Sequence, residues 1–252
     1  MAGADRIVNA YLVAAGQFHD IDFARLELLK LLAEHDNVRC TVAADYRDTA
    51  AIGASDFLIS YTCNLVPSEA EQQALHDYVA GGKRWFALHG TNSILEFLDK
   101  GVNSPETAPV LMRTLGTQFI AHPPIQLFRV RVADPEHELV AGIAEFETDD
   151  ELYLSRIHGD LHVLLDTQFN GEAAGFIESD WHDDTPRPLY YINPVGKGEV
   201  LYLNLGHCRG HYDMRPLMDY YPQIERGSWE KPEYYELLRR GIGYCVARTA
   251  GT

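Results

Sequence analysis

The stretch that decides the fold is KRWFALHGT, residues 83–91. Its first six residues are mainly apolar and aromatic, which is typical of a short buried strand. The strand runs directly into His89, Gly90 and Thr91, so we expect a sharp strand–turn–helix junction that holds a side chain at the sheet edge. Ligands of open parallel sheets bind beyond the carboxyl ends of the strands. His89 is therefore the first candidate functional residue.

Strands and helices alternate on the N-terminal side of this stretch. Asp22 is the predicted cap of one helix, and Pro67-Ser68-Glu69 opens another that ends at Gly81-Gly82. Strands separated by helices form right-handed βαβ units, so the sequence predicts a parallel sheet with helices on both faces. Apolar runs predict three further strands before residue 83, at residues 7–14, 38–43 and 57–61.

The pattern changes after about residue 100. Residues 101–124 contain four prolines and little periodicity, which indicates a functional loop with short helical turns. Residues 209–232 are predicted to be irregular, and a helix from Pro232 to about Ala247 closes the chain. Without a repeat or an interdomain linker, residues 1–252 are interpreted as one α/β domain with an attached β-rich portion. The strands of that portion are predicted at 126–132, 151–155, 162–166, 175–178, 189–192 and 199–205.

The charged residues of the chain indicate which kinds of molecule it can bind. The 252 residues include 21 Lys and Arg against 37 Asp and Glu, a net charge of −16. Such a surface repels nucleic-acid phosphates and anionic membranes, so a neutral or weakly charged small molecule is the expected partner. A signal peptide and an apolar run of membrane-spanning length are both lacking, and four scattered cysteines form no CxxC pair. The sequence therefore predicts a reduced cytoplasmic protein.

Two further positions carry candidate chemistry. His207 follows Gly206 at the end of another predicted strand, and an imidazole suits acid–base work near neutral pH. Glu151 and Tyr153 would share one face of a strand after the acidic pair Asp149-Asp150. The plainer alternatives are a histidine bonded to a backbone carbonyl and a solvated acidic turn.

The case for a metal or nucleotide cofactor is weaker. His158, Asp160 and His162 would lie on one strand face and resemble ligands of a divalent metal. The segment Trp181-His182-Asp183-Asp184 is a second polar cluster. Neither HExxH, nor a Cys/His zinc spacing, nor a glycine-rich phosphate loop is present. No cofactor is therefore required by the motifs, and a divalent metal such as zinc stays open.

Several short motifs together resemble the ThuA-like (trehalose utilisation) family, and the resemblance covers most of the chain. It implies a flavodoxin-like α/β fold of the class I glutamine amidotransferase-like group and a role in sugar catabolism. The resemblance also implies a link to disaccharides that a partner dehydrogenase first oxidises to 3-keto sugars. The motifs, in the order of the family, are Phe86-Ala87-Leu88-His89-Gly90-Thr91, Gly116-Thr117-Gln118-Phe119 with His122-Pro123, Asp134-Pro135-Glu136-His137, Asp150-Glu151-Leu152-Tyr153, Tyr191 to His207, and Arg240-Gly241-Ile242.

The chain departs from the amidotransferase pattern at the functional junction. The amidotransferase nucleophile would be a cysteine, and His89 stands there instead, so glutamine hydrolysis is not expected. The segment Gly16-Gln17-Phe18-His19-Asp20 replaces a longer polar motif of the family, and His19 is a further candidate for the site.

The favoured hypothesis is an enzyme that acts on a sugar or a 3-keto-glycoside by histidine acid–base chemistry. A ketone acidifies the neighbouring C–H bond, so one base and one acid suffice to eliminate the glycosidic substituent. The alternatives are a non-catalytic sugar-binding or regulatory protein and a zinc-dependent hydrolase. A homo-oligomer and a partner sugar dehydrogenase are left open. The predicted catalytic residues are His89, His207 and Glu151, and the predicted substrate-binding residues are His19, Thr91, Phe119, His122, Asp150 and Tyr153.

Overall fold

The computed structural model describes residues 6–249 as a mixed α/β fold built on a sheet of nine strands. The helices are α1 (Ile21–Leu32), α2 (Thr49–Ala54), α3 (Glu69–Ala80), α4 (Pro109–Leu115) and α5 (Pro232–Thr249), with 3-10 helices at His89–Asn92 and Gly227–Glu230. The strands are β1 (Val8–Gly16), β2 (Val38–Ala43), β3 (Phe57–Cys63), β4 (Arg84–Leu88), β5 (Glu96–Leu98), β6 (Gly101–Asn103), β7 (Thr117–Ala121), β8 (Gln126–Val132), β9 (Phe146–Asp150), β10 (Leu154–Ile157), β11 (His162–Thr167), β12 (Gly171–Glu172), β13 (Asp180–Trp181), β14 (Arg187–Val195) and β15 (Gly198–Leu203).

The prediction of a parallel sheet holds for only half of this sheet. The strand order is β2-β1-β3-β4-β15-β14-β11-β8-β9. The first four pairings are parallel, and the four from β15 to β9 are antiparallel. The predicted β-rich portion is thus an extension of the same sheet. A two-residue turn joins β14 to β15, and so short a turn can connect only antiparallel neighbours.

The parallel half brings the carboxyl ends of β1, β3, β4 and β15 to one edge. Gly16, the last residue of β1, lies beside Cys63 at the end of β3. Leu88, the last residue of β4, pairs with Leu203, the last residue of β15. Loops that follow β1, β4 and β15 therefore begin side by side at this edge.

Helices cover both faces of the sheet, as predicted. On one face α1 and α5 pack their apolar residues against β1, β3 and β4. On the other face α2, α3 and α4 pack against the same strands and against β15. The predicted start of α3 is confirmed, because Ser68 and Glu71 form a capping box at its first turn. Among the described residues, no helix has the length and apolar character needed to cross a membrane.

Several predicted elements differ from the structure. The cap of α1 is Asp20, whose side chain accepts from the amide of Phe23, and Asp22 lies inside the first turn. Residues 151–155 do not form one strand, because β9 ends at Asp150 and β10 begins at Leu154. Residues 175–178 form a turn with one isolated bridge from Phe176 to Val102. The predicted loop 101–124 contains the regular elements β6, α4 and β7.

Candidate functional site

Three histidines extend from the carboxyl edge of the parallel half. His89 follows β4 directly, His19 lies three residues after β1, and His207 lies four residues after β15. All three are buried. The sheet edge that the sequence predicts for ligand binding therefore carries a group of imidazoles.

The backbone at His89 is strained. Its φ is 42°, a left-handed conformation that costs a non-glycine residue free energy and that recurs at functional sites. The hydroxyl of Tyr202 donates to the carbonyl of His89 and helps hold this conformation. Thr91, a predicted substrate-binding residue, is buried, and its hydroxyl donates to the carbonyls of Ser60 and Leu88. In the structure Thr91 therefore shapes the turn and does not line the cavity described below.

Each of the three imidazoles is oriented by one of its ring nitrogens. Nδ1 of His19 lies 3.2 Å from the carbonyl oxygen of Gln17, and Nδ1 of His89 lies 2.9 Å from that of Asn204. Nε2 of His207 lies 2.8 Å from a carboxylate oxygen of Glu225. A carbonyl oxygen only accepts, so the Nδ1 atoms of His19 and His89 carry the proton. The remaining nitrogen of each ring points inward.

The inward nitrogens meet the carboxylate of Glu151. Its Oε2 lies 3.5 Å from Nε2 of His19, 3.7 Å from Nε2 of His89 and 3.4 Å from Nδ1 of His207. Nε2 of His19 lies 2.9 Å from Nε2 of His89. We call these four residues the His–Glu cluster. The structure thus brings together the three predicted catalytic residues and His19.

The side chain of Asp150 fixes the backbone positions of Glu151 and His207. The carboxylate of Asp150 accepts from the backbone amides of Glu151, Gly206, His207 and Ser228 and from the hydroxyl of Ser228. It is fully buried and has no contact with the cavity. In the structure this predicted substrate-binding residue therefore fixes the backbone that presents the cluster.

Two residues that sequence reasoning missed, Arg209 and Glu225, complete the surroundings of the cluster. Arg209 donates to Oε1 of Glu151 at 3.2 Å and to Glu225 at 2.8 Å. Tyr221 donates to the other oxygen of Glu225 at 2.7 Å. The fold joins them through one isolated bridge between Arg209 and Glu225 in a segment of irregular structure. No sequence pattern marks such a contact.

The pKa values of the ionisable groups in the site are shifted in different directions. Burial lowers the pKa of His19 to about 3, so this imidazole is neutral. Burial would also lower the pKa of His207, but the carboxylates of Glu151 and Glu225 outweigh it and raise this pKa to about 9. Burial opposes ionisation of Glu151, yet His207 and His122 hold its pKa well below the usual range. The carboxylates thus favour a positive charge within the cluster.

A cavity of about 510 Å³ reaches the cluster from the surface. His19 and Glu151 line its buried end, whereas His89 and His207 lie behind them. The mouth is apolar, with Phe97 45% exposed and Leu217 49% exposed. Aromatic rings form much of the wall between floor and mouth: Phe18, Phe119, Tyr153, Phe176 and Tyr221.

Three predicted substrate-binding residues lie together on this wall. The ring of Tyr153 is 4.5 Å from that of His89 and 4.4 Å from that of Phe119. Nδ1 of His122 lies 2.8 Å from the carbonyl oxygen of Pro123, and its Nε2 lies 3.6 Å from Oε1 of Glu151. His122 therefore keeps its Nδ1 proton on Pro123 and turns Nε2 toward the floor of the cavity.

Among the described residues, the His–Glu cluster is the group whose donor atoms converge as a metal site requires, all within 4.8 Å of one another. The predicted cluster of His158, Asp160 and His162 does not form, because β10 ends before it and β11 begins at His162. His162 pairs with Asp134 at 2.8 Å on the surface. In the second polar segment, His182 is exposed and pairs with Asp180.

The sequence of the chain matches one family model. The model of ThuA, described as trehalose utilisation, matches residues 11–221. The chain belongs to the ThuA family. That description indicates a carbohydrate-related role for this ThuA protein. No protein with a curated description matches it.

Solved structures share the fold of this ThuA protein. A protein described as ThuA-like from Bacteroides uniformis has a TM-score of 0.68 and 16% identity, over 98% of this chain and 95% of its own. Another from Parabacteroides merdae has a TM-score of 0.61 and 14% identity, over 96% and 91%. A protein from Thermoplasma acidophilum that is described as part of a GMP synthase has a TM-score of 0.50 and 10% identity, over 97% and 99%. These likenesses fit a flavodoxin-like, glutamine amidotransferase-like fold.

Proposed function

We propose that this ThuA protein is an enzyme of carbohydrate catabolism that eliminates the glycosidic substituent from a 3-keto-glycoside. The observation that carries the proposal is the buried His–Glu cluster at the floor of a cavity with an aromatic wall. Buried titratable groups with opposite pKa shifts are most often found where chemistry is done. The family's link to sugar utilisation supplies the substrate class.

The polarity of the cavity supports a substrate with two unlike ends. Ionisable groups line the floor, and apolar rings dominate the wall and the mouth. A sugar ring with its ketone would bind at the floor, where its oxygen atoms find polar partners. The departing substituent would lie against Phe119 and Phe176, whose ring centroids are 5.8 Å apart. A volume of about 510 Å³ lies within the range for a ligand of this size.

The reaction needs one group that exchanges a proton with the substrate. The ketone at C3 acidifies the C2–H bond, a base takes that proton, and the electron pair moves onto the ketone oxygen as an enolate. The enolate then collapses, the C1–O bond breaks, a C1=C2 double bond forms, and the leaving oxygen takes the proton back from the base. No oxidant or reductant is consumed in this step.

We assign this proton transfer to His122 and not to His89 and His207. His122 lines the cavity, and in the neutral form of its ring Nε2 is free to accept a proton, because Nδ1 donates to the carbonyl of Pro123. His89 and His207 lie behind the floor, and their inward nitrogens face Glu151. This assignment differs from the sequence-based one, which could not place the two histidines relative to the cavity.

The test compares two substrates that differ only at C3. A 4-nitrophenyl glucoside and its 3-keto form are incubated with the protein, and release of 4-nitrophenol is followed by absorbance. We expect release from the keto form alone, with a fall of roughly 10²- to 10⁴-fold in His122→Ala. The matched control His158→Ala, outside the cavity, should keep the wild-type rate. Failure of the keto form to react would contradict the proposal, and tight binding without reaction would favour a non-catalytic sugar-binding protein.

The proposal also implies a supplier of the substrate. A 3-keto-glycoside arises when a sugar dehydrogenase oxidises the C3 hydroxyl, so such an enzyme would act before this one. We place both in the reducing cytoplasm, a proposal supported by four free cysteines, three of which are buried.

A further inference from the structure

The inward nitrogens of His19 and His89 lack protons to share. His19 and His89 each use their Nδ1–H on a backbone carbonyl, so their Nε2 atoms face each other at 2.9 Å as two lone pairs. Two lone pairs repel at that distance unless a positive centre lies between them. The contact therefore needs a positive centre between the two atoms, either a shared proton or a metal ion.

The third histidine gives an independent observation. His207 donates from Nε2 to Glu225, and its Nδ1 is buried without a hydrogen-bond partner. Its side chain is 1% exposed. A buried polar atom without a partner costs free energy, and in native proteins it needs an explanation such as an ion. This atom points at the same Oε2 of Glu151 that His19 and His89 approach.

The separations fit a divalent transition metal. Bonds of about 2.0–2.2 Å to nitrogen and oxygen place the ligand atoms of a tetrahedral zinc site about 3.3–3.6 Å apart. The distances from Oε2 of Glu151 to the three nitrogens are 3.5, 3.7 and 3.4 Å. The Nε2 atoms of His19 and His89 are closer, at 2.9 Å, and all four atoms lie within 4.8 Å of one another. Three imidazoles and one carboxylate are ligands that zinc prefers, since both are borderline or hard donors.

The hydrogen-bond partners of the ligand side chains are also typical of a metal site. Metal-bound histidines usually donate their other nitrogen to a carbonyl or a carboxylate, which fixes the tautomer and the ring orientation. Here Gln17, Asn204 and Glu225 supply those acceptors. Arg209 holds the other oxygen of Glu151 at 3.2 Å and leaves Oε2 for the centre of the cluster.

We propose that Nε2 of His19, Nε2 of His89, Nδ1 of His207 and Oε2 of Glu151 bind one divalent transition-metal ion, with zinc as the best match. His122 stays outside this set, because its Nε2 approaches Oε1 of Glu151. The cavity reaches the cluster beside His19 and Glu151, so a ketone oxygen would approach the ion from that side. An ion there would polarise the ketone and stabilise the enolate. This role rests on the function proposed above, whereas the binding of the ion does not.

The decisive experiment measures metal binding without a substrate. The wild-type protein is stripped with a chelator, reloaded with Zn²⁺ or Co²⁺, freed of excess metal by gel filtration and analysed for metal content. We expect about one ion per chain, a Co²⁺ absorption spectrum of a site with nitrogen and oxygen ligands, and a higher melting temperature on reloading. A stoichiometry below about one tenth, with no Co²⁺ spectrum, would overturn the proposal.

Variants locate the ion. Glu151→Gln and His207→Gln keep the size of the side chains and should lower the retained metal at least tenfold, whereas His158→Ala should retain about one ion per chain. Retention of the wild-type stoichiometry by both cluster variants would overturn the assignment of ligands. The wild-type measurement decides whether a metal binds even if one variant is unstable. Metal binding without reaction of the keto-glycoside would refute the proposed function alone, and full turnover by the stripped protein would refute the role of the ion.

Discussion

We expect the buried carboxylate of Asp150 to contribute several kcal/mol to the free energy of unfolding, roughly 3–5 kcal/mol. Its two oxygens accept five hydrogen bonds, from the amides of Glu151, Gly206, His207 and Ser228 and from the hydroxyl of Ser228. Asp150→Ala removes the acceptor and leaves these donors buried around an empty volume. Because each unsatisfied buried donor costs about 1–3 kcal/mol and some would bind water that enters the space, we expect a total loss of roughly 3–5 kcal/mol.

The assay is chemical denaturation together with calorimetry of the two single variants Asp150→Ala and Asp149→Ala. For a chain of this length about 1 kcal/mol shifts the melting temperature by roughly 2–4 °C, so Asp150→Ala should lower it by about 6–20 °C. Asp149 is its exposed neighbour and carries the same charge. Asp149→Ala should change the free energy of unfolding by less than about 0.5 kcal/mol. A loss within about 1 kcal/mol for Asp150→Ala would refute the argument that this carboxylate holds the loop of His207.

Three further predictions concern the site. His122→Ala should lower turnover of a 3-keto-glycoside by roughly 10²- to 10⁴-fold while metal content stays at the wild-type value, and an unchanged rate would refute proton transfer by this residue. Glu225→Gln should weaken Zn²⁺ binding by roughly 10- to 100-fold in a chelator competition, because it loosens the hold on Nε2 of His207, whereas the exposed Glu230→Gln should have wild-type affinity. Glutamine hydrolysis should be undetectable, because burial raises the pKa of the Cys63 thiol and keeps it protonated; glutamate release that disappears in Cys63→Ser would show the opposite.

The sequence predicts the parallel half of the fold well. Its inner strands β1, β3 and β4 are largely apolar and buried, and local signals bound several of its helices, as Ser68 and Glu71 do for α3. The start of α1 is displaced by two residues, since Asp20 and Asp22 are both acceptable caps and only the structure shows that the amide of Phe23 lies beside Asp20.

The antiparallel half is harder to predict, because strand ends there depend on contacts between distant residues. Residues 151–155 have the composition of a strand, yet the bonds of Asp150 to Gly206 and Ser228 end β9 at that point. Residues 175–178 are equally strand-like in sequence, but one bridge to Val102 is their only ladder contact in the described chain.

The candidate site is predictable where its residues follow strands. His89 and His207 stand at strand ends, and open parallel sheets bind ligands there, so their proximity follows from the fold class. The partners of their outer nitrogens, Asn204 and Glu225, come from tertiary contacts. For that reason the sequence alone does not distinguish a histidine that transfers protons from a histidine that binds a metal ion.

Exchange of the hydrogen next to a ketone tests the central claim most directly. A methyl 3-keto-glycoside, whose methoxide leaves slowly, is incubated in deuterated water with the zinc-loaded protein, and its C2 proton signal is followed by NMR. Abstraction of that proton predicts loss of the signal at least about 10²-fold faster than without protein, with the increase abolished in His122→Ala and in the metal-stripped protein. A C2 proton signal that persists as long with the protein as without it would contradict the account.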